Sequence, residues 1–201
     1  MKNLRLALFA ASFAIGHDGL AHTPKRGDMR ATPSLLHYRA TTRHAVAEDA
    51  PRFGGGLAVE GDVDYNGGVE IAMFYLDKLY VRKKGGDTVG EQIQRMYITT
   101  GYRHWFNPSL SAGAAFFSSY SMGEAKVVLD ERHSGQQLAT SARDVTEYGF
   151  DLSGQWEIWS NDAIAVVTDA RYSLSMTHKQ HEDADLYGIL LGIKYLVPKA
   201  G

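Results

Sequence analysis

The sequence predicts an all-β protein, an antiparallel up-and-down transmembrane β-barrel of eight strands. Three observations predict this fold class. From Phe53 onward, apolar and polar residues alternate with a period of two in seven successive segments. The connections between these segments alternate strictly between short turns and long polar loops. After the N-terminal stretch, no apolar run is long enough to form a membrane-spanning helix.

The composition agrees with long strands and tight turns, because the 201 residues include 21 Gly and 11 Tyr against 5 Pro. A formal net charge of −2 excludes a polycationic nucleic-acid-binding protein, so we expect no nucleic-acid partner. The charged fraction of 22% excludes a highly charged disordered chain. The absence of Cys excludes disulfides, thiolate metal sites and a lipoprotein anchor.

The N-terminus has the pattern of a secretory signal peptide over residues 1–21. A basic start precedes an apolar or small-residue stretch over residues 6–15, which is too short to span a bilayer. Gly19 and Ala21 are small residues at the −3 and −1 positions of a cleavage site, so we expect the mature chain to begin at His22. A buried N-terminal helix is the alternative interpretation.

The remaining chain divides into a polar N-terminal segment (22–52), the β-barrel (53–197) and a short C-terminal tail (198–201). The short turns are Asn66-Gly67-Gly68, Asn107-Pro108-Ser109 and Ser160-Asn161-Asp162, and the long connections are 83–92, 130–144 and 177–185. Short turns face the periplasm in a membrane barrel, so an additional outward strand must precede Phe53. We expect it over 33–43, where Leu36, Tyr38 and Ala40 alternate with His37, Arg39 and Thr41.

The two faces of the strands favour a barrel with lipid outside and charge inside. Aromatic residues on the apolar face cluster near the strand ends and predict two interfacial girdles: Tyr65, Phe106, Trp156 and Tyr195 at the short-turn end, and Tyr120, Tyr148 and Tyr187 at the long-loop end. The polar face carries Glu60, Asp62, Asp64, Glu70, Glu147, Asp151, Glu157 and Asp169 against Lys78, Arg82, Arg95, Arg103, Arg171 and Lys194. This near balance predicts a luminal network of paired charges, centred on Glu60, Asp62, Lys78, Arg95, Arg103, Asp151, Asp169 and Arg171.

One cross-strand pair can be predicted from the turn. With Asn161 at the centre of its loop, Arg171 falls opposite Asp151 on the polar face. We expect this pair inside the barrel.

The closing segment, Tyr187 to Leu196, alternates apolar residues and ends near an aromatic one. In this respect the chain resembles the small eight-stranded outer-membrane β-barrel family (OmpA/OmpX/OmpW-like and opacity-type). The resemblance implies an outer-membrane location in a Gram-negative cell envelope, with membrane lipid and the barrel-assembly machinery as partners. It also implies a porin-like architecture whose external loops can meet an extracellular ligand or surface.

The search for catalytic, cofactor or metal sites gives weak candidates only. His178 and His181 precede three acidic residues in one long loop and could bind a divalent cation, but a flexible, water-exposed loop is the preferred interpretation. His104, Ser111 and Glu157 could form a Ser-His-acid set, but His104 and Ser111 fall on opposite strand faces. We therefore predict no enzyme, no cofactor and no metal.

The predicted function is a non-enzymatic barrel with a structural or surface-interaction role and a lumen plugged by paired charges. Three alternatives remain. The barrel could bind or pass a small hydrophobic molecule, or be a soluble periplasmic lipocalin-like barrel with its apolar face inward. It could also be a lipid-modifying barrel enzyme.

Overall fold

The computed structural model describes residues 25–40, 52–133, 138–161 and 163–197. The signal peptide expected over 1–21 and the tail expected over 198–201 lie outside the described residues. None of the described residues belongs to a helix long and apolar enough to cross a membrane.

The described chain consists of strands and one short 3₁₀ helix. The strands are β1 (Met29–Ala40), β2 (Arg52–Asp62), β3 (Gly67–Lys84), β4 (Asp87–Asn107), β5 (Leu110–Ser121), β6 (Lys126–Glu131), β7 (Thr146–Ser160), β8 (Ile164–Ser175), β9 (Glu182–Asp183) and β10 (Leu186–Val197), and the 3₁₀ helix is η1 (Ser141–Arg143). Eight strands pair antiparallel in the cyclic order β1-β2-β3-β4-β5-β7-β8-β10. The pairing of β10 with β1, which places Val197 opposite Met29, closes the barrel. The predicted eight-stranded antiparallel barrel is confirmed.

The short turns lie together at one end of the barrel, which we call the short-turn end. Asn107 and Asn161 play the same part in two of these turns. The side-chain oxygen of Asn107 accepts hydrogen bonds from the backbone N–H groups of Ser109 and Leu110, each at 2.9 Å. Asn161 does the same for Ala163 and Ile164. An Asn side chain that binds the backbone two residues later mimics a backbone turn, which explains these tight connections.

The opposite, long-loop end differs from the prediction at residues 83–92. These residues form no loop, because β3 and β4 continue past Asp77 as a hairpin whose turn is Gly85-Gly86. Both glycines have positive φ, 61° and 93°, as a two-residue turn between twisted antiparallel strands requires. The polar composition suggested a loop, but the Gly-Gly pair is a hairpin signal.

This hairpin is the centre of a four-stranded extension in the order β6-β4-β3-β9. β6 pairs with the upper part of β4, and β9 pairs with Val81 and Arg82 of β3. The long connections expected at 130–144 and 177–185 therefore contribute structured elements, namely the end of β6, η1 and β9. We call the four strands the extension sheet.

The outward face of the barrel is apolar. On β10, the outward-facing Ile189, Leu191 and Ile193 are 56%, 55% and 44% exposed. Lys194, which faces inward on the same strand, is 3% exposed. A soluble lipocalin-like barrel would show the inverse, with apolar residues inside. This arrangement is that of a barrel solvated by hydrocarbon.

The first strand lies at Met29–Ala40, where 33–43 was expected. Its outward face also differs from the other strands' pattern. Leu36 and Tyr38 point into the lumen and are buried, whereas Leu35 and His37 face outward. Leu36 and Tyr38 belong to an apolar cluster inside the barrel. The charged inward faces of the other strands did not predict such a cluster.

Candidate functional site

The lumen contains buried charges that nearly balance. Among the described residues, those with charged side chains inside the barrel are Arg30, Lys78, Arg95, Arg103, Arg171 and Lys194 against Glu60, Asp62, Glu70, Glu147, Asp151, Glu157 and Asp169. Each is less than a tenth exposed. All eight residues of the expected luminal network are in this set. Unpaired charge would be costly in such a place, so the pairing of these groups offsets part of the cost of burying them.

Lys194 organises the level nearest the short-turn end. Its Nζ donates to Gln155 Oε1 at 2.6 Å and lies 3.3–3.4 Å from carboxylate oxygens of Glu157 and Glu60. Trp105 closes the group, since its Nε1 donates to Glu60 Oε1 at 2.8 Å and its ring lies 4.4 Å from Lys194 Nζ. A cation enclosed by two carboxylates, an amide oxygen and an indole face is fully coordinated without water.

Arg30 and Asp62 join the start of β1 to the end of β2. Arg30 Nη1 donates to Asp62 Oδ2 at 2.7 Å, and the backbone N–H of Lys25 donates to the same oxygen at 3.1 Å. The backbone N–H of Gly27, which has a φ of 86°, donates to the Asp62 carbonyl oxygen at 2.8 Å. The chain before β1 is therefore fixed against the short-turn end.

The next level is a network of two arginines and three acids. Arg103 binds Glu70 (Nε to Oε2, 2.7 Å) and Asp169 (Nη2 to Oδ2, 3.0 Å). Arg171 binds Glu70 (2.6 Å), Asp169 (3.1 Å) and Asp151 (3.0 Å). Hydroxyl groups add to the shell, because Ser111 and Ser153 accept from Arg103 and Ser173 donates to Asp151. Multidentate arginine–carboxylate bonding of this kind is strong and geometrically specific.

Arg171 and Asp151 are bonded inside the barrel, but they are not directly opposite in register. The residue opposite Arg171 is Ser153, and Asp151 lies opposite Ser173. A β-bulge between Glu157 and Trp159 shifts the register by one residue, and the turn itself is displaced from Asn161. The long guanidinium spans the resulting diagonal distance.

An apolar level separates this network from the charges above it. It is formed by buried side chains from five strands: Leu36, Tyr38, Ala72, Phe74, Leu76, Tyr97, Phe117, Leu186 and Leu190. A cavity between this level and the Asp151–Arg171 pair measures about 20 Å³. That volume accommodates a water molecule and excludes anything larger.

Above the apolar level, Lys78 and Glu147 form a buried ion pair at 2.5 Å. Tyr80 and Ser119 also donate hydroxyl hydrogen bonds to the Glu147 carboxylate. Lys78 Nζ lies 4.9 Å from the centre of the Tyr80 ring, which adds a cation–π contact.

Arg95 fixes the segment around η1 over the long-loop end of the barrel. Its Nη2 donates to the carbonyl oxygens of Ser141 (3.0 Å) and Asp144 (2.7 Å), and the guanidinium is fully buried. These are carbonyls of η1 and of the residue that follows it. We call residues 138–144 the cap segment.

Two acids hold the other end of η1, outside the aromatic girdles. Glu91 accepts from the backbone N–H and the hydroxyl of Thr140, and Glu182 accepts from the backbone N–H of Ser141. Burial alone would raise the pKa of Glu91, but the hydrogen bonds from Arg143 and Thr140 hold it below its ordinary value of 4.5. Burial raises the pKa of Glu182, and the Ser141 hydrogen bonds only partly offset this effect. Acids at the N-terminus of η1 and an arginine at its C-terminus match the dipole of this short helix.

The expected girdle aromatics lie on the outside of the barrel at its two ends. Phe106, Trp156 and Tyr195 are at least partly exposed near the short-turn end, while Tyr120, Tyr148 and Tyr187 are exposed near the long-loop end. Tyr65 is 84% exposed but belongs to the turn between β2 and β3, because the strands separate at Asp62 and Gly67.

Sequence analysis missed Arg30, Tyr80 and Trp105 as luminal residues. Trp105 shares the parity of Arg103 on β4, which could have identified it as inward-facing. Two residues assigned to the polar face lie outside the lumen. Asp64 is exposed in a turn, where its carboxylate accepts from Tyr102, and Arg82 donates to the Ala139 carbonyl in the extension.

The chemical candidates are not assembled into sites. His104 is exposed on the outer surface, whereas Ser111 is inside and accepts from Arg103. His178 Nδ1 lies 2.8 Å from the Ser175 carbonyl oxygen, and Glu182 is engaged by η1. Within the described ranges there is no group of three or more His, Asp or Glu side chains arranged to hold a metal ion.

Comparison with known proteins identifies the fold. No family model matches the chain, and no curated protein matches it in sequence. The outer membrane protein OprG from Pseudomonas aeruginosa superposes with a TM-score of 0.60 at 10% identity, covering 87% of this chain and 98% of OprG. Ail, the attachment invasion locus protein of Yersinia pestis, solved in complex with the heparin analogue sucrose octasulfate, gives 0.54 at 10% identity, covering 86% and 100%. The chain thus has the fold of the small eight-stranded outer-membrane barrels, as the resemblance implied.

Proposed function

We propose that this protein is a non-enzymatic outer-membrane barrel with a sealed lumen, which meets the surroundings of the cell through its extension sheet and cap segment. In this fold the short-turn end is periplasmic and the long-loop end is extracellular. The observation that carries the proposal is the arrangement of apolar residues outward and paired charges inward.

The filling of the lumen supports a sealed barrel. An eight-stranded barrel is only just wide enough for its own side chains. Here successive levels of ion pairs and apolar side chains from the described strands occupy it, and the cavity beside Asp151 and Arg171, of about 20 Å³, holds no more than water. Uptake of a small hydrophobic molecule through the lumen would require displacing Phe74, Tyr97 and Phe117, all of which are buried.

The length of the extension supports an extracellular role. Met96 lies opposite the girdle residue Tyr120 and marks the membrane interface. Asp87 is nine residues beyond Met96 along β4 (96 − 87), which corresponds to roughly 30 Å of strand. Lipid alone does not require strands of that length, so this part of the chain is available to contact other molecules.

The location and orientation can be tested by labelling cysteine variants on intact cells, since the natural chain contains no Cys. Lys84→Cys, at the hairpin tip, should react with a membrane-impermeant maleimide. Asn66→Cys, in an exposed short turn, is the matched control and should react only after the outer membrane is permeabilised. Labelling of Asn66→Cys on intact cells, or equal protection of both, would contradict the proposed topology.

The sealed lumen can be tested by inserting the purified protein into planar lipid bilayers. We expect no discrete conductance steps, together with the heat-dependent gel mobility typical of a folded membrane barrel. Regular conductance steps from heat-modifiable protein would refute the sealed lumen without affecting the location.

We also propose that the barrel-assembly machinery inserts the chain, with Leu186–Val197 as the closing strand. Tyr195 is the last outward aromatic residue of that strand. Depletion of the machinery should leave the protein in the periplasm, unfolded and sensitive to protease.

A further inference from the structure

We propose that a groove on the lipid-facing surface of β5, β7 and β8 is a binding site for one acyl chain of an outer-leaflet membrane lipid. The inference requires only that the barrel lies in the outer membrane. It is therefore independent of the role proposed for the extension sheet and of the sealed lumen.

The groove is a depression in the apolar outer face of the barrel. It measures about 340 Å³, which falls within the range of roughly 300–1,000 Å³ found for small-ligand sites. Three neighbouring strands contribute its apolar and aromatic lining, which includes Ala114 and Phe116 of β5, Phe150 and Leu152 of β7, and Tyr172 and Leu174 of β8.

Small residues give the groove its depth and its direction. Ala114 forms the floor and lies opposite the larger Leu152 in the ladder. The next row towards the short-turn end is small throughout, with Ala112 opposite Gly154 and Gly154 opposite Ala170. A Cβ added at Gly154 would have no neighbouring atom within 4 Å. This row therefore leaves space along which a hydrocarbon chain continues from the groove.

The walls of the groove are held in place by contacts of their own. The Phe116 and Phe150 rings meet edge to face with their centroids 6.2 Å apart, and Phe116 also stacks on Tyr148 at 5.9 Å. On the β8 side, the Tyr172 hydroxyl donates to Asp185 Oδ2 at 2.6 Å. Side chains that are already fixed lose little entropy when a ligand binds, and such preorganisation raises affinity.

The groove lies in the outer half of the membrane. Leu152 is four residues from Tyr148 (152 − 148) and four from Trp156 (156 − 152), so it marks the middle of the lipid-facing band between the two girdles. Phe150 lies on the extracellular side of that level. Acyl chains of outer-leaflet lipids surround the barrel at this depth, so the ligand present at the groove is a hydrocarbon chain.

The shape of the groove favours an acyl chain over a second barrel. Lipid tails are as apolar as protein side chains, so two protein surfaces associate in a bilayer by close packing through small residues or by polar contacts. Here the small residue Ala114 lies beside Phe116 and Leu152, whose side chains are 48% and 56% exposed. A second barrel would meet these large side chains first, whereas a thin, flexible chain reaches the floor.

The gain on binding is van der Waals contact. A chain in the groove touches the floor and both walls, while a chain on the convex remainder of the barrel touches protein on one side only. Each atomic contact contributes little, but the contacts add along the length of the chain.

Lipid retention tests the site. The full barrel would be reconstituted in palmitoyl-oleoyl phosphatidylethanolamine vesicles, extracted into detergent and measured by native mass spectrometry. Wild type should retain one lipid per barrel. Ala114→Phe fills the groove and should lower the retained fraction about tenfold or more. Ala31→Phe, the same change on the outer face of β1, is the matched control and should retain lipid as the wild type does. Heat-dependent mobility verifies that each variant is folded.

Photocross-linking tests where the chain lies. With a diazirine in the middle of the acyl chain of the same phospholipid, labelling should concentrate on β5, β7 and β8, and Ala114→Phe should remove this excess over β2 and β3. Labelling that is even around the barrel would indicate ordinary solvation by lipid and would overturn the proposal.

Three other results would also overturn it: folded wild type that retains no lipid, equal retention by Ala114→Phe and wild type, and disulfide-linked dimers of Leu152→Cys in vesicles. The last result would assign the groove to a second copy of the chain. Failure of the proposed function is recognised separately, because conductance steps or the wrong pattern of surface labelling would leave lipid retention unchanged.

Discussion

Arg171 of β8 binds Glu70 of β3 across the full width of the barrel, with Nη2 and Oε1 2.6 Å apart. These two strands are separated by three others in either direction around the ring. The contact therefore ties opposite walls together, and the same guanidinium holds Asp151 and Asp169. A single side chain thus joins β3 to β7 and β8, which the hydrogen-bonded ladder connects to β3 only through intervening strands.

Arg171→Met should lower the free energy of unfolding by about 3–5 kcal/mol, because it leaves buried carboxylates without their cation. Urea titration in lipid vesicles, followed by gel mobility, measures the change. Adding Glu70→Gln to this variant should recover part of the loss. Arg132→Met, which breaks the exposed pair with Asp130, is the matched control and should change the free energy of unfolding far less, because solvent screens that pair. Equal effects of the two Arg→Met changes would contradict the role of the buried network.

Gly56→Ala should destabilise the barrel by about 1–3 kcal/mol. An added Cβ would collide with the Phe74 ring in the apolar level and would lie 2.7 Å from the Met73 carbonyl oxygen. Gly61 lies on the same strand with no atom within 4 Å of the corresponding position, so Gly61→Ala is the control. Thermal loss of heat-dependent mobility compares the two variants, and a similar decrease in both would show that Phe74 does not impose the requirement for glycine.

Leu191→Arg should cost about 2–4 kcal/mol and Val197→Arg about 0–1 kcal/mol, since the penalty for an outward arginine depends on its depth in the bilayer. Leu191 lies midway between the girdle residues Tyr187 and Tyr195, and Val197 lies beyond the girdle at the periplasmic end. Equilibrium unfolding from vesicles gives both values. Penalties independent of position would be inconsistent with a lipid-facing band at Leu191.

The cap segment should become less stable in acid. The pKa of Glu91 in the folded protein is lower than its ordinary value of 4.5, because the hydrogen bonds from Arg143 and Thr140 outweigh the effect of burial. Its contribution is therefore fully present above about pH 4.5 and is lost as the pH falls through the lowered pKa.

Hydrogen exchange of residues 138–144, corrected for intrinsic rates, measures this loss. Glu91→Gln should reduce protection about tenfold or more at neutral pH, as expected for the loss of charged hydrogen bonds, and should abolish the acid-dependent decrease. Glu124→Gln, at an exposed loop position, should retain the wild-type profile. Protection that is insensitive to Glu91→Gln would show that Arg95 and Glu182 suffice to hold the cap segment.

The parts of the fold that sequence analysis predicted are those governed by local alternation. Strands such as β10 carry the information for both faces in their own residues, so Leu191 and Lys194 could be assigned to opposite sides. The inward orientation of Leu36 could not be assigned, because it depends on meeting Phe74 and Leu190 from other strands. Apolar residues within a charged lumen are an exception to the binary pattern that only the assembled barrel explains.

Register and loop structure were predicted less well for a related reason. The Asp151–Arg171 contact was anticipated, but the bulge near Glu157 and the displaced turn depend on how β7 and β8 twist together. The extension sheet escaped prediction because β6 and β9 are short and pair with strands distant in sequence. The Gly85-Gly86 pair was the available signal for the long β3–β4 hairpin.

The pairing of Met29 with Val197 makes the first and last strands ordinary neighbours in the ladder. The barrel consequently has a break in its covalent chain but none in its hydrogen bonding. A short linker between these ends, with new termini cut into one of the periplasmic turns, would give a circularly permuted chain that keeps every strand contact. Which strand is synthesised last would then become an experimental variable, independent of the architecture that the strands build.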